Sequence, residues 1–176
     1  GVCVLTLNRP ERLNAVNGAM ASEIETLARQ LRDDATLRAL IVTGAGRVFC
    51  AGADIAALDT LKSADAAYRF LESLQVAFNA IEALPMPTIA AVHGLAFGGG
   101  CELALACDFR ILGEEARLGV PEIKLGLLPG AGGTQRLSRL LPAAVARQMI
   151  YFGEALDAKS SLQHGLINAV VASGEV

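Results

Sequence analysis

Hydrophobic and polar positions run along the chain in blocks whose period changes. GVCVLTLNRP sets Val2, Val4, Leu5 and Leu7 in a strand-like run. AMASEIETLARQLRDD then spaces Met20, Ile24, Leu27 and Leu31 by three and four, the interval of one helix face, and charges the other face. LRALIVTGAG is apolar until its glycine, as a buried strand would be. AAYRFLESLQVAFNAIEAL predicts a long helix that Pro85 and Pro87 stop. TIAAVHG is a further apolar strand, GGGCELALACD opens a helix at its glycines, and DFRILGEE predicts a short strand. SRLLPAAVARQMIYFG and DAKSSLQHG read as helical, the second capped by Asp157 and ended by Gly165. GLINAVV is strand-like again. Strand, helix, strand in this order predicts an α/β fold with parallel pairing and right-handed crossovers.

Composition narrows the picture. The chain has 176 residues, 53% hydrophobic and 19% charged, enough for a sizeable core, and 1–176 is expected to form one domain. A net charge of -3 gives no broad cationic field, so neither nucleic acid nor an anionic membrane is an expected partner. Cys3, Cys50, Cys101 and Cys107 fit no zinc spacing and are read as reduced, mostly buried side chains. His93 and His164 lie far apart, which argues against a histidine-rich metal centre. No apolar run reaches the length of a membrane span and no signal peptide opens the sequence. The expected compartment is the cytoplasm in a bacterium or the mitochondrial matrix in a eukaryote. Both ends break off beside strand-like runs, so the sequence is expected to be a piece of a longer chain.

The chemistry concentrates at HGLAFGGGCELALACD. A strand that runs into glycines and then a helix leaves the first helical N–H groups unpaired, with the positive end of the dipole behind them. Without Cβ atoms, a ligand can approach closely. The segment lacks the lysine and hydroxyl of a phosphate loop and does not match GxGxxG, so a single developing oxyanion fits better than a phosphate. A tight turn or close helix packing would explain three glycines equally well. Glu102 sits among apolar residues, where an unpaired carboxylate is costly. GRVFCAGADI ends a second strand in a small-residue turn that could present another amide.

LNRPERLNAVN, FCAGADI, PTIAAVHGLAFGGGCELALACDFRI, GVPEIKLGLLPGAGGTQRL and LDAKSSLQHGLIN together resemble, in order, the segments of the crotonase superfamily, the enoyl-CoA hydratase/isomerase family. The resemblance implies the crotonase-like fold of repeated ββα units, with the family's C-terminal helical part absent. It also implies an oxyanion hole from the backbone N–H groups of Ala53 and Gly99. Glu102 and Glu122 match two carboxylates that flank one water, Glu102 activating it and Glu122 donating a proton, and Gly130 matches a water-positioning backbone. Glu122 in isolation would also suit a dipole-favoured surface residue after Pro121.

Arg12, Leu13, Asn14, Ala51, Asp54, Ile55 and Gly98 are candidate neighbours of the thioester and its coenzyme A portion, although Arg9, Pro10 and Glu11 also make an ordinary turn into a helix. The implied reaction is hydration of a 2-enoyl-CoA, with no cofactor beyond the coenzyme A of the substrate. Retention of both glutamates favours hydration over isomerisation. Methylglutaconyl-CoA-type hydration, RNA binding and non-catalytic acyl-CoA binding are the alternatives. The mixed charges of SEIETLARQLRDD do not support RNA binding. Full-length members are expected to form trimers or hexamers. Acyl selectivity is expected to lie partly in AALDTLKSADAAYRF.

Overall fold

The structure, a computed structural model, describes residues 1–60 and 62–176. In chain order its elements are β1 (Val2–Leu7), α1 (Gly18–Arg32), β2 (Ala39–Gly44), α2 (Ile55–Asp59), α3 (Ala64–Glu82) and β3 (Thr88–Val92). They continue with β4 (Leu95–Phe97), α4 (Gly99–Ala106), β5 (Phe109–Gly113), β6 (Arg117–Gly119) and α5 (Gly133–Leu140). The last are α6 (Ala143–Phe152), β7 (Ala155–Asp157), α7 (Ala158–Gln163) and β8 (Ala169–Val171). Short 3-10 turns occupy Pro10–Arg12 and Pro121–Leu125.

The apolar runs read from the sequence form one parallel sheet in the order β1-β2-β3-β5-β8. In β2 and β3 buried positions alternate with half-buried ones, and both sets carry mostly apolar side chains. The second sheet, β4-β6-β7, escaped the sequence reading: each strand is three residues long, too short for a period to register. With it the ββα repeat becomes visible. β3, β4 and α4 make one unit, and β5, β6 and α5 make the next. In the earlier units the second strand shrinks to single parallel bridges, Val16 with Ala53 and Cys50 with Ala96.

Helix starts follow capping chemistry. Asn17, Ser63 and Asp157 accept from Met20 N, Ala66 N and Ser160 N, each supplying an acceptor that the first turn lacks. Two expectations need correction. SRLLPAAVARQMIYFG is two helices, because Pro142 has no N–H to continue α5; its carbonyl instead accepts from Val145 N and Ala146 N to start α6. On α1, Leu27 is 42% exposed, while Ala21 and Ala28 join Met20 and Ile24 inside. The alanines let α1 approach α3 closely, which rotates Leu27 and Leu31 toward a groove along edge strand β1. Cys50, Cys101 and Cys107 are buried and free, and Cys3 is half-buried and free. No helix among the described residues is long and apolar enough to cross a membrane.

Candidate active site

The glycines of GGGCE form the junction between β4 and α4. Gly98 caps α4 with φ +50, a conformation that side-chain-bearing residues rarely adopt. Gly100 meets the neighbouring unit so closely that a Cβ would lie 2.3 Å from the Cys50 carbonyl oxygen. That carbonyl cannot yield easily, because Phe97 N donates to it at 3.0 Å while Cys50 N donates to Leu95 O at 3.0 Å.

This approach brings two amides together. Val16 N donates to Gly52 O at 2.8 Å and Asp54 N donates to Val16 O at 2.9 Å, a parallel pairing that turns the Ala53 N–H away from Val16. The Gly99 N–H opens α4, so it has no intrahelical acceptor. A Cβ on Gly99 would lie 3.4 Å from Ala53 N, and one on Gly52 would lie 3.6 Å from Gly99 N. Both residues line a largely apolar cavity of about 270 Å³. Two neighbouring donors on such a wall can hold one oxygen that gains negative charge.

Glu102 is only 2% exposed, one turn into α4. Its Oε1 accepts from Ala131 N at 2.8 Å and Gly133 N at 2.7 Å, amides of the small-residue loop that leads into α5. Burial pushes its carboxyl above the ordinary range, against the pull of those two amides and of the Arg136 guanidinium. Glu122 arrives from the 3-10 turn opened by Pro121. Its Oε1 lies 3.1 Å from where a Gly98 Cβ would be, and its Oε2 is buried without a hydrogen-bond partner among the described residues. Burial, with repulsion from Glu102 second, pushes its carboxyl up to about 7. The cavity therefore holds one carboxyl whose ionised form is hydrogen-bonded and another poised to keep its proton near neutrality.

Of the residues singled out in the sequence, Ala51, Ala53, Ile55, Gly98, Gly99, Glu102, Glu122 and Gly130 line this one cavity. Arg12, Leu13, Asn14 and Asp54 do not. Arg12 is exposed on its turn. Leu13, at φ +52, contributes its carbonyl, which accepts from Ala51 N at 3.0 Å. The expectation for Asn14 needs correcting at the side chain. It is fully buried, its Nδ2 donates to the carbonyls of Ala45, Val48 and Phe49 at 2.8, 2.8 and 3.2 Å, and its Oδ1 accepts from Arg9 N. Those bonds leave it to latch the loop before the Ala53 segment. Asp54 caps α2 through Ala56 N and pairs with Arg9 at 3.0 Å, bracing the residue next to Ala53.

From AALDTLKSADAAYRF, Leu58 and Ala67 reach the cavity, while Leu61 lies outside the described residues. The sequence reading missed Ala131, Gly133, Arg136 and Gln75, whose Nε2 donates to Gly130 O at 2.6 Å. GAGG ahead of α5 was a usable signal for exposed amides; nothing local marked Arg136.

A family model described as enoyl-CoA hydratase/isomerase matches residues 1–176. The chain belongs to this family. It is 43% identical over 175 residues to the probable enoyl-CoA hydratase echA8 of Mycobacterium tuberculosis, covering 99% of this chain and 67% of that protein. To the crotonyl-CoA hydratase of Syntrophomonas wolfei it is 45% identical over 176 residues, with the same coverage. The crystal structure of an enoyl-CoA hydratase from Bacillus anthracis superposes with a TM-score of 0.93 at 39% identity, over 97% of this chain and 66% of that one. The chain thus spans about two thirds of the length of these relatives. The α/β fold expected from the resemblance is the fold observed.

Proposed function

We propose that the protein is an enoyl-CoA hydratase that adds water across the 2,3 double bond of an enoyl-CoA to give a 3-hydroxyacyl-CoA. The observation that carries this reading is the convergence of two adjacent amides and two unlike carboxyls on one apolar cavity. The thioester oxygen takes the place between Ala53 N–H and Gly99 N–H. Attack of water oxygen on C3 moves the π electrons onto that oxygen, and preorganised donors favour the enolate over the ground state. Glu102, its ionised form supported by Ala131 N and Gly133 N, takes the proton of the attacking water. Glu122 returns a proton to C2 as the carbonyl re-forms, so the reaction balances with water as the only co-reactant. Syn addition is assigned, as the family resemblance implies. Gly130 is assigned to the water, and Ala51, Ile55 and Gly98 to the thioester and pantetheine side. The backbone around Arg12, Leu13 and Asn14 and the cap at Asp54 are assigned to shaping the coenzyme A approach.

The cavity lining carries no cation among the described residues; its charged members are Glu102 and Glu122. An uncharged acyl group is favoured over a methylglutaconyl-type tail, whose carboxylate would meet only like charge. Isomerisation would leave one of the two acids idle. RNA binding gains no support from α1, where Arg29 pairs with Glu25. Assembly of the full-length protein into trimers or pairs of trimers is supported by exposed apolar Tyr151 and Phe152. The cytoplasm or mitochondrial matrix is the assigned compartment.

Hydration is tested with full-length protein on a panel of enoyl-CoA thioesters, following loss of the conjugated absorbance. Wild type should turn over uncharged short substrates. Glu102→Gln should fold and lose about 100-fold to 10,000-fold in rate. Near wild-type turnover by Glu102→Gln removes the assigned base.

A further inference from the structure

Next to its buried Phe70, Leu74, Ala77, Phe78 and Ile81, α3 carries Gln75, Asn79 and Glu82 spaced by four and three, a polar row on one face. The row meets α5 and the loop ahead of it. Gln75 Nε2 holds Gly130 O at 2.6 Å. Asn79 Oδ1 and Glu82 Oε2 accept from Arg136 Nη2 at 2.8 and 2.6 Å. Arg136 is a buried cation, 6% exposed, and its Nη1 donates to Ala131 O at 3.0 Å. It lies so close to the loop that a Cβ on Gly132 would be 2.1 Å from Nη1. The peptide it grips, between Ala131 and Gly132, stands between the two peptides whose N–H groups hold Glu102 Oε1.

Building on the hydratase reading, we infer that Arg136 is a positioning residue for the base: anchored by Asn79 and Glu82, it fixes the loop whose amides hold and aim Glu102. The fork geometry explains why arginine stands here. One guanidinium spans the loop carbonyl and two acceptors on another helix, which a single ammonium cannot do. Its charge also offsets part of the burial of Glu102. The other groups facing that carboxyl are Glu122 from the 3-10 turn and the neighbouring Cys101, whose thiol burial pushes well up and keeps neutral. Glu82 lies beyond Arg136 on the α3 side.

The test compares kcat, KM and the pH profile of kcat in full-length wild type, Arg136→Gln and Arg136→Lys. Arg136→Gln should lower kcat by about 10-fold to 100-fold, inside the range a general base contributes. KM should stay within about 3-fold, because Arg136 touches no part of the substrate cavity. The acid limb should move up by roughly half a pH unit or more, since loss of a nearby cation favours protonated Glu102. Arg136→Lys should keep the limb in place while lowering kcat. A fall in thermal stability with kcat per folded molecule and the acid limb unchanged would overturn the inference.

If Arg136→Gln does not fold, the double variant Asn79→Ala/Glu82→Ala, at two exposed positions, should still reduce kcat several-fold, and unchanged kcat overturns it. A wild type without hydration counts against the hydratase reading instead. The clamp is then judged by a carbon NMR titration of the Glu102 carboxyl, which should titrate higher in Arg136→Gln; an unmoved titration refutes it.

Discussion

Replacing Gly100 with alanine should push the two amide donors apart. Helix propensity alone favours the change, by about 1 kcal/mol. The added Cβ, however, would start 2.3 Å from Cys50 O and 2.7 Å from Cys50 Cβ. Ordinary contact begins near 3.4 Å, so α4 and the 50–53 segment must separate by about 1 Å. Cys50 O is already bonded by Phe97 N, which makes the retreat a movement of backbone rather than of a flexible side chain. Overpacking of this kind typically costs about 1–3 kcal/mol, which outweighs the propensity gain and still leaves a folded protein. Catalysis should suffer more. A displacement near 1 Å in a positioned site can cost about 100-fold, and losing an oxyanion donor costs about 100-fold to 1000-fold. Steady-state hydration of a short enoyl-CoA, alongside thermal unfolding, reads both effects. A kcat near wild type with a lowered Tm would show that the Gly99–Ala53 spacing is not what the close packing of Gly100 secures.

Three further outcomes follow from the same geometry. Because Glu122 must be protonated to serve as the acid and its pKa is pushed up to about 7, kcat should decline as pH rises through that value, and an alkaline limb unchanged in Glu122→Gln would assign it elsewhere. The folded Glu122 carboxyl binds its proton more tightly than the unfolded one, so wild type loses stability as pH climbs from about 4.5 to about 7; the Tm advantage of Glu122→Gln should grow across that window, and a constant difference contradicts the assigned environment. Asn14→Ala strands buried carbonyls and puts alanine at φ +56, which should cost about 2–4 kcal/mol by urea denaturation, and a loss under about 0.5 kcal/mol would mean that the latch does not bear on stability.

What the sequence made legible follows from what is local. ALIVTG and TIAAV are mostly apolar at their half-buried as well as their buried positions, so β2 and β3 were readable without a partner. GGGCE could be read as a helix start with unpaired amides because glycine chemistry is local too. The spacing between Ala53 and Gly99 is not local: it depends on Gly100 meeting Cys50 across fifty residues, and only the family resemblance anticipated it. The same holds for Asn14, expected beside the coenzyme A portion and found as a buried amide bonded to three distant carbonyls. Arg136 offered the least. Its neighbours in TQRLSR describe an ordinary amphipathic helix, and its partners at Asn79 and Glu82 lie more than fifty residues earlier.

The central claim is that Ala53 N–H and Gly99 N–H hold one thioester oxygen between Glu102 and Glu122. A crystal structure of the full-length protein with a bound acyl-CoA measures it directly. The account expects the thioester oxygen within about 3 Å of both amide nitrogens, with C2 and C3 facing the two carboxyls. A thioester whose oxygen meets neither amide, or whose acyl chain leaves by another cavity, would contradict it.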